Sequence, residues 1–103
     1  MGKVLRDYFG RAVRLTEERI AHILEHAEME RQLNKVTEVL QEPDVIVQSQ
    51  RDINVHLYHK YYRKTPVTKK YLLVALKIEE HDAFVLTAFF TDTVKNGERV
   101  WEK

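Results

Sequence analysis

Apolar residues recur every three or four positions through the first part of this chain and at every second position after Pro43. That change of period predicts helices first and strands afterwards. Ile20, Ile23, Leu24 and Ala27 form one stripe, which predicts a helix over 17–27. Thr16 stands where its N-cap belongs, and Glu17 and Glu18 complement the helix dipole in the first turn. Met29, Leu33, Val36 and Leu40 form a second stripe, predicting a helix over 29–41 that Pro43 stops. Ahead of both, Val4 to Arg14 reads as a small hairpin turning at Gly10. Strands are expected over 45–50, 55–62, 71–79 and 83–91. Their connections are a turn at Arg51–Asn54, a longer loop over 64–69 with Pro66, and a tight turn at Glu80–Asp82. In the tail, 92–103, Asn96-Gly97 is a turn and Trp101 an anchor on the body of the domain.

Helices followed by an antiparallel meander are an α+β pattern. The expectation is a single domain over 1–103, with an N-terminal hairpin and two helices packed on one face of a four-stranded antiparallel sheet. Leu72, Val74, Leu76 and Ile78 alternate in one strand, and Phe84, Leu86, Ala88 and Phe90 in the next. With Val55 and Leu57 these are expected beneath the helices. The opposite, open face would carry Tyr58, Lys60, Tyr62, Ala75, Lys77, Thr87, Phe89 and Thr91. In the strand over 55–62, His56, Tyr58, Lys60 and Tyr62 share a side that combines cation, imidazole and phenol. That is poor core material and suits a phosphate or a base.

Composition narrows the classes. With 44% hydrophobic and 32% charged residues, the chain is an ordinary soluble type. No cysteine is present, which excludes disulfides, zinc–thiolate sites and thiol nucleophiles. No apolar run approaches the roughly 20 residues of a membrane span, and the N-terminus lacks a signal-peptide core. A cytoplasmic location is expected. The net charge of +1 conceals segregation: residues 1–16 carry +3, 17–44 carry −5, 45–78 carry +6 and 79–103 carry −3. A basic segment interleaved with tyrosines fits a polyanion surface. Strand and loop lysines that keep a sheet soluble and its edges unpaired would look the same.

One run of residues resembles a known family. Phe9-Gly10-Arg11-x-Val13-Arg14-Leu15-Thr16-x-Glu18-Arg19-Ile20-x-His22-Ile23, followed by His26-x-Glu28-Met29, is similar to the opening of small phage- and mobile-element-associated proteins. Those belong to the barnase–EndoU–colicin–RelE-like nuclease superfamily. Further matches are Glu42-Pro43-Asp44, the Arg51 turn, Tyr58-x-Lys60, Phe84-Val85-x-Thr87-Ala88-Phe89-x-Thr91-Asp92, and Lys95-x-Gly97 with Trp101. The resemblance spans nearly the whole chain, and its specificity lies in order and spacing. Ala27 departs from the proline of a His-Pro-Glu sequence.

The resemblance implies a barnase/RelE-like fold and metal-independent cleavage of RNA on the open sheet face, with no cofactor. Carried over by position, it points to His26, Arg51, Tyr58, Lys60 and Thr87 as catalytic, and to His22, Tyr62, Lys77 and Thr91 as substrate-binding. Such chemistry needs a base for the 2′-OH, an acid for the 5′-oxygen and cations for charge developing on phosphorus. Histidine suits the first two roles, arginine and lysine the third. The product would carry a 2′,3′-cyclic phosphate. Implied partners are RNA and a cognate antitoxin or immunity protein, with a homodimer through the tyrosines as another option. No membrane partner is expected.

Each candidate has an ordinary explanation too. His22 and His26 lie about 200° and 240° around the helix from Ile20, where a solvated face is expected. Their spacing could also seat a metal, although no glutamate directly follows His22 as in zinc proteases. Strand propensity alone accounts for the threonines. Helix histidines behind the sheet are awkward partners for Lys60 and Thr87 in front of it, unless His26 wraps around the sheet edge. The alternative to an endoribonuclease is a nucleic-acid-binding or protein-interaction module without chemistry on the same scaffold.

Overall fold

A computed structural model describes residues 2–103. The expected four-stranded antiparallel sheet is corrected to a mixed sheet of seven strands in the order β1-β2-β6-β5-β4-β3-β7. The strands are β1 (Lys3–Arg6), β2 (Ala12–Leu15), β3 (Val45–Gln48), β4 (Val55–Tyr61), β5 (Tyr71–Glu79), β6 (Asp82–Thr91) and β7 (Arg99–Glu102). The hairpin β1–β2 joins the sheet by a parallel pairing of Arg14 with Phe84, reinforced by a two-pronged Arg14–Asp82 ion pair at 2.9 and 2.6 Å. At the other edge β7 pairs antiparallel with β3. The tail is therefore a strand, with Trp101 beside Ile46. The α+β class holds. No helix of the described residues is long and apolar enough to cross a membrane.

Both expected helices are shorter than their stripes. Helix α1 (Glu17–Leu24) starts at Thr16, whose hydroxyl accepts the Arg19 N–H. It ends early because Glu25 and His26 donate to the His22 and Ile23 carbonyls in tightened three-residue steps. His26 then has extended backbone and a 3₁₀ turn follows over Ala27–Met29. Arg31 adopts φ 65°, and α2 (Asn34–Gln41) begins afterwards. The break drops Met29 fully into the core and leaves Leu24, an expected stripe residue, exposed.

The main core lies between these helices and the sheet. Ile23, Met29, Val36, Val39 and Leu40 meet Ile46, Leu72, Val74, Leu76, Val85 and Phe90. Fully burying such a side chain contributes about 1.5–3 kcal/mol. The face assignment of β5 holds, but that of β4 is inverted. Tyr58 is on the helix side and fully buried, and its hydroxyl donates to Asp7 Oδ2 at 2.7 Å. Asp7 in turn accepts the Phe9 and Arg11 N–H groups, with the Arg11 guanidinium 3.5 Å away. A tyrosine enters a core readily when its hydroxyl finds such a partner. Val55 and Leu57 consequently face outward, joining Leu73 and Ala75 in a second cluster. In β6 the register slips between the Ala75–Thr87 and Leu76–Val85 pairs, so Leu86 bulges. Ala83 and Val85 therefore turn toward the helices, in place of the expected Phe84 and Leu86.

The outer face is not bare. Residues 92–98 cross it from the end of β6 to the start of β7 and cover Val47 and His59, both fully buried. The crossing is docked where the Gln48 N–H donates to the Glu98 carbonyl at 2.8 Å. Gly97 makes the close approach possible. At φ +147° it packs so tightly that a Cβ would collide with the Gln48 carbonyl and Val47 Cγ1.

Candidate nucleic-acid interface

The crossing segment converts the outer face into a groove of about 730 Å³. Its floor is the apolar set Val55, Leu57, Leu73 and Ala75. One wall is the β3–β4 turn, Ser49 to Asp52; a second is Leu86, Thr87 and Phe89 of β6; the third is Lys95 and Asn96 of the crossing. An apolar floor with a few converging polar groups is the usual make-up of a ligand site.

The polar groups differ in how they are held. Asp52 accepts the Asn54 N–H at 2.9 Å and forms an ion pair with Lys77, which fixes the turn. The Lys77 ammonium, and after it the Asn54 N–H, hold the Asp52 carboxyl below the usual range. Arg51 is exposed, and among the described residues only its backbone is engaged, donating to Ser49 Oγ at 3.1 Å. Among the described residues no carboxylate pairs with the Arg51 or Lys95 cation. Lys95 Nζ stands 5.9 Å from the centre of the Phe89 ring. The Thr87 hydroxyl is shielded from solvent and has no hydrogen-bond partner. A shielded hydroxyl left unpaired is costly and marks a donor in need of an acceptor.

His26 does not line this groove but lies against Phe89 at its edge. The β2–β6 pairing is confined to Phe84, which leaves the edge of β6 beyond it to α1 and the 3₁₀ turn. Arg19 NH1 donates to the Leu86 carbonyl at 3.5 Å, and the His26 ring lies 5.7 Å from that of Phe89. His22, one turn back, is 6.4 Å from His26 by ring centres. Arg19, His22 and His26 thus form a strip along the rim, and the break after Leu24 is what swings His26 to it.

The model of the family phage-Barnase-EndoU-ColicinE5/D-RelE like nuclease2 (PBECR2) matches residues 2–103. The chain belongs to this family. No curated protein and no solved structure matches it. The family description is that of a nuclease of the barnase–EndoU–colicin–RelE type, with nucleic acid as the corresponding substrate class.

Of the residues singled out in the PBECR2 sequence, Arg51 and Thr87 line one groove, Lys77 adjoins it through Asp52, and His26 stands at its edge against Phe89, with His22 beside His26. Four others lie elsewhere. Tyr58 is in the main core, where burial first and the Asp7 carboxylate second push its phenol far up. Lys60 is on the helix side, donating to the Glu42 carbonyl just past α2 at 3.0 Å. Tyr62 donates to Glu38 of α2 at 2.8 Å, under the ammonium of Lys35. Thr91 is buried and donates to the Thr93 carbonyl at 3.3 Å. Lys95, Asn96 and Ser49 were absent from the sequence-based site. The basic residue beside the Asn96-Gly97 turn was a usable signal, but nothing local showed that this turn folds over the sheet. Among the described residues no three His, Asp or Glu side chains come together as a metal site requires.

Proposed function

We propose that the groove binds RNA and cleaves it by acid–base catalysis through attack of the 2′-OH. The observation that carries the reading is the convergence of an imidazole, two cations without carboxylate partners and an unpaired hydroxyl around one apolar-floored groove. Phe89 offers a face on which a base can stack, a contact indifferent to base identity. Arg51 and Lys95 approach from two walls and would straddle the phosphate, Arg51 with its planar fork. The Thr87 hydroxyl, once turned out toward the groove, would donate to a non-bridging oxygen. His26 would take the proton of the 2′-OH, and His22 would return one to the departing 5′-oxygen. Both steps lie within the range of imidazole, whose unperturbed pKa of about 6.5 serves either role near neutrality. The Asp52–Lys77 pair would hold the turn that carries Arg51.

The experiment is incubation of RNA with the purified protein in EDTA, with fragment ends analysed for 2′,3′-cyclic phosphate. Wild type is expected to cleave, while His26→Ala and Arg51→Ala remain folded and lose at least about a hundredfold in rate, the scale of one acid–base group or one charge-stabilising donor. Cleavage that proceeds equally in all three proteins would remove the site from the groove. Binding without cleavage would favour a nucleic-acid-binding module on the same scaffold.

A further inference from the structure

One buried ionisable group next to the groove has no part in the chemistry above. His59 is on β4, two residues beyond Leu57 of the groove floor and in register with Leu73. It is fully buried, and the segment over 92–98 covers it. Its Nε2 accepts the backbone N–H of Lys95 at 3.1 Å. The proton is thereby assigned to Nδ1, which makes no well-formed hydrogen bond and has only the Val45 and Leu57 carbonyls nearby. A buried N–H so weakly partnered is unfavourable, and leucine would fill the space without it. The ring's one well-formed hydrogen bond goes to the residue whose ammonium forms the third wall of the groove.

The rest of the crossing is tied at its ends. Thr91 engages the Thr93 carbonyl, and Gln48 engages the Glu98 carbonyl. Among the described residues His59 is the only group bonded to the backbone between positions 94 and 96.

We propose that His59 is a positioning residue for the groove: its neutral imidazole holds the backbone of Lys95 so that the ammonium stands beside Phe89, and protonation of the ring releases that wall. The proposal rests on the reading of the groove as an RNA site. Burial, against the pull of the Val45 and Leu57 carbonyls and aided by the facing charges of Lys95 on the crossing and Arg99 on β7, presses the imidazole toward its neutral form, with a pKa of about 4. Val45 of β3 and Leu73 of β5, its register partners, bring no charge. Asp44 donates its N–H to the His59 carbonyl, while its carboxylate is occupied by the Tyr61 N–H and, at 3.8 Å, Lys103. Once charged, Nε2 would present a hydrogen to the Lys95 N–H, two donors face to face.

The test compares wild type with His59→Leu, His59→Gln, Lys95→Ala and the double variant His59→Leu/Lys95→Ala. Two readouts are needed: amide exchange at Lys95, and binding of an RNA oligonucleotide made inert by 2′-deoxy substitution at the cleavage position. His59→Leu should melt no lower than wild type, speed exchange at Lys95, and weaken binding about tenfold. It should also flatten the salt dependence by up to about 0.7, as loss of one phosphate contact on a single strand does. Lys95→Ala should reproduce that binding loss, and the double variant should lose no more. His59→Gln, which keeps an acceptor, should recover most of both. Unchanged exchange in His59→Leu would overturn the proposal, as would altered exchange with unaltered binding, or additive losses in the double variant. If wild type itself binds no RNA, the groove reading falls and takes the functional half of the proposal with it. The exchange readout needs no RNA and so separates the two failures.

Discussion

At the scale of single residues, hydrogen-bond partners decide roles that residue type leaves open. Tyr58 looks like a catalytic phenol in sequence, yet its hydroxyl serves the buried Asp7 carboxylate under the hairpin turn. Tyr58→Phe should therefore cost about 1–3 kcal/mol of stability, because a buried acceptor loses its donor, while cleavage by the folded protein persists. Urea unfolding and RNA cleavage on the same preparation would separate the two. Lys60→Ala should likewise keep its activity, since the ammonium reaches only the Glu42 carbonyl at the end of α2. His59 carries a pH prediction. Its folded pKa of about 4 is below the unfolded value of about 6.5, so the unfolded chain binds the proton more tightly. Its contribution is complete above about pH 6.5 and is lost as pH falls toward about 4, by as much as about 3 kcal/mol. Melting temperatures of wild type and His59→Leu should diverge across that window as pH falls, the wild type losing stability that the variant keeps. Parallel curves would refute the linkage.

At the scale of elements, the sequence located nearly every segment but misjudged what β4 and part of β6 face. Periodicity found both helices, because Ile20, Ile23, Val36 and Leu40 do sit on their inner stripes. It overran α1 because Leu24 and Ala27 continue the period, whereas the chain turns there to bury Met29. It inverted β4 because alternation gives two faces without saying which is covered, and here both are partly covered. It missed the β6 slip because a bulge at Leu86 has no glycine or other local mark. The β3–β4 turn supplies a prediction. Breaking the Asp52–Lys77 pair with Lys77→Met should hardly change stability, since a surface pair contributes about 0–1 kcal/mol. It should lower kcat/KM several-fold by loosening the turn that aims Arg51, with Arg51 itself intact. Steady-state kinetics beside a thermal melt would show whether the two effects part in this way.

At the scale of the whole molecule, the groove belongs to no single element. It needs the β3–β4 turn, the free edge of β6 with the 3₁₀ turn upon it, and the crossing to β7. Gly97→Ala should accordingly damage site and fold together: it strains a left-handed backbone and drives a methyl group into Gln48 and Val47. A melting temperature lowered by several degrees with weaker RNA binding is expected, and an unperturbed protein would contradict the packing described. By itself the sequence determined the α+β class, the order of segments and the charged and aromatic stock of the site, which are properties of spacing and composition that local sterics and solvation fix; its resemblance to a nuclease family was legible there too, as likeness of ordered motifs. The tertiary structure alone decided that His26 rounds the edge of β6, that Tyr58 and Lys60 turn away from the groove, and that Lys95 arrives from the tail. Each depends on contacts between segments distant in sequence, where covering a sheet face or giving a buried hydroxyl its partner outweighs the local pattern.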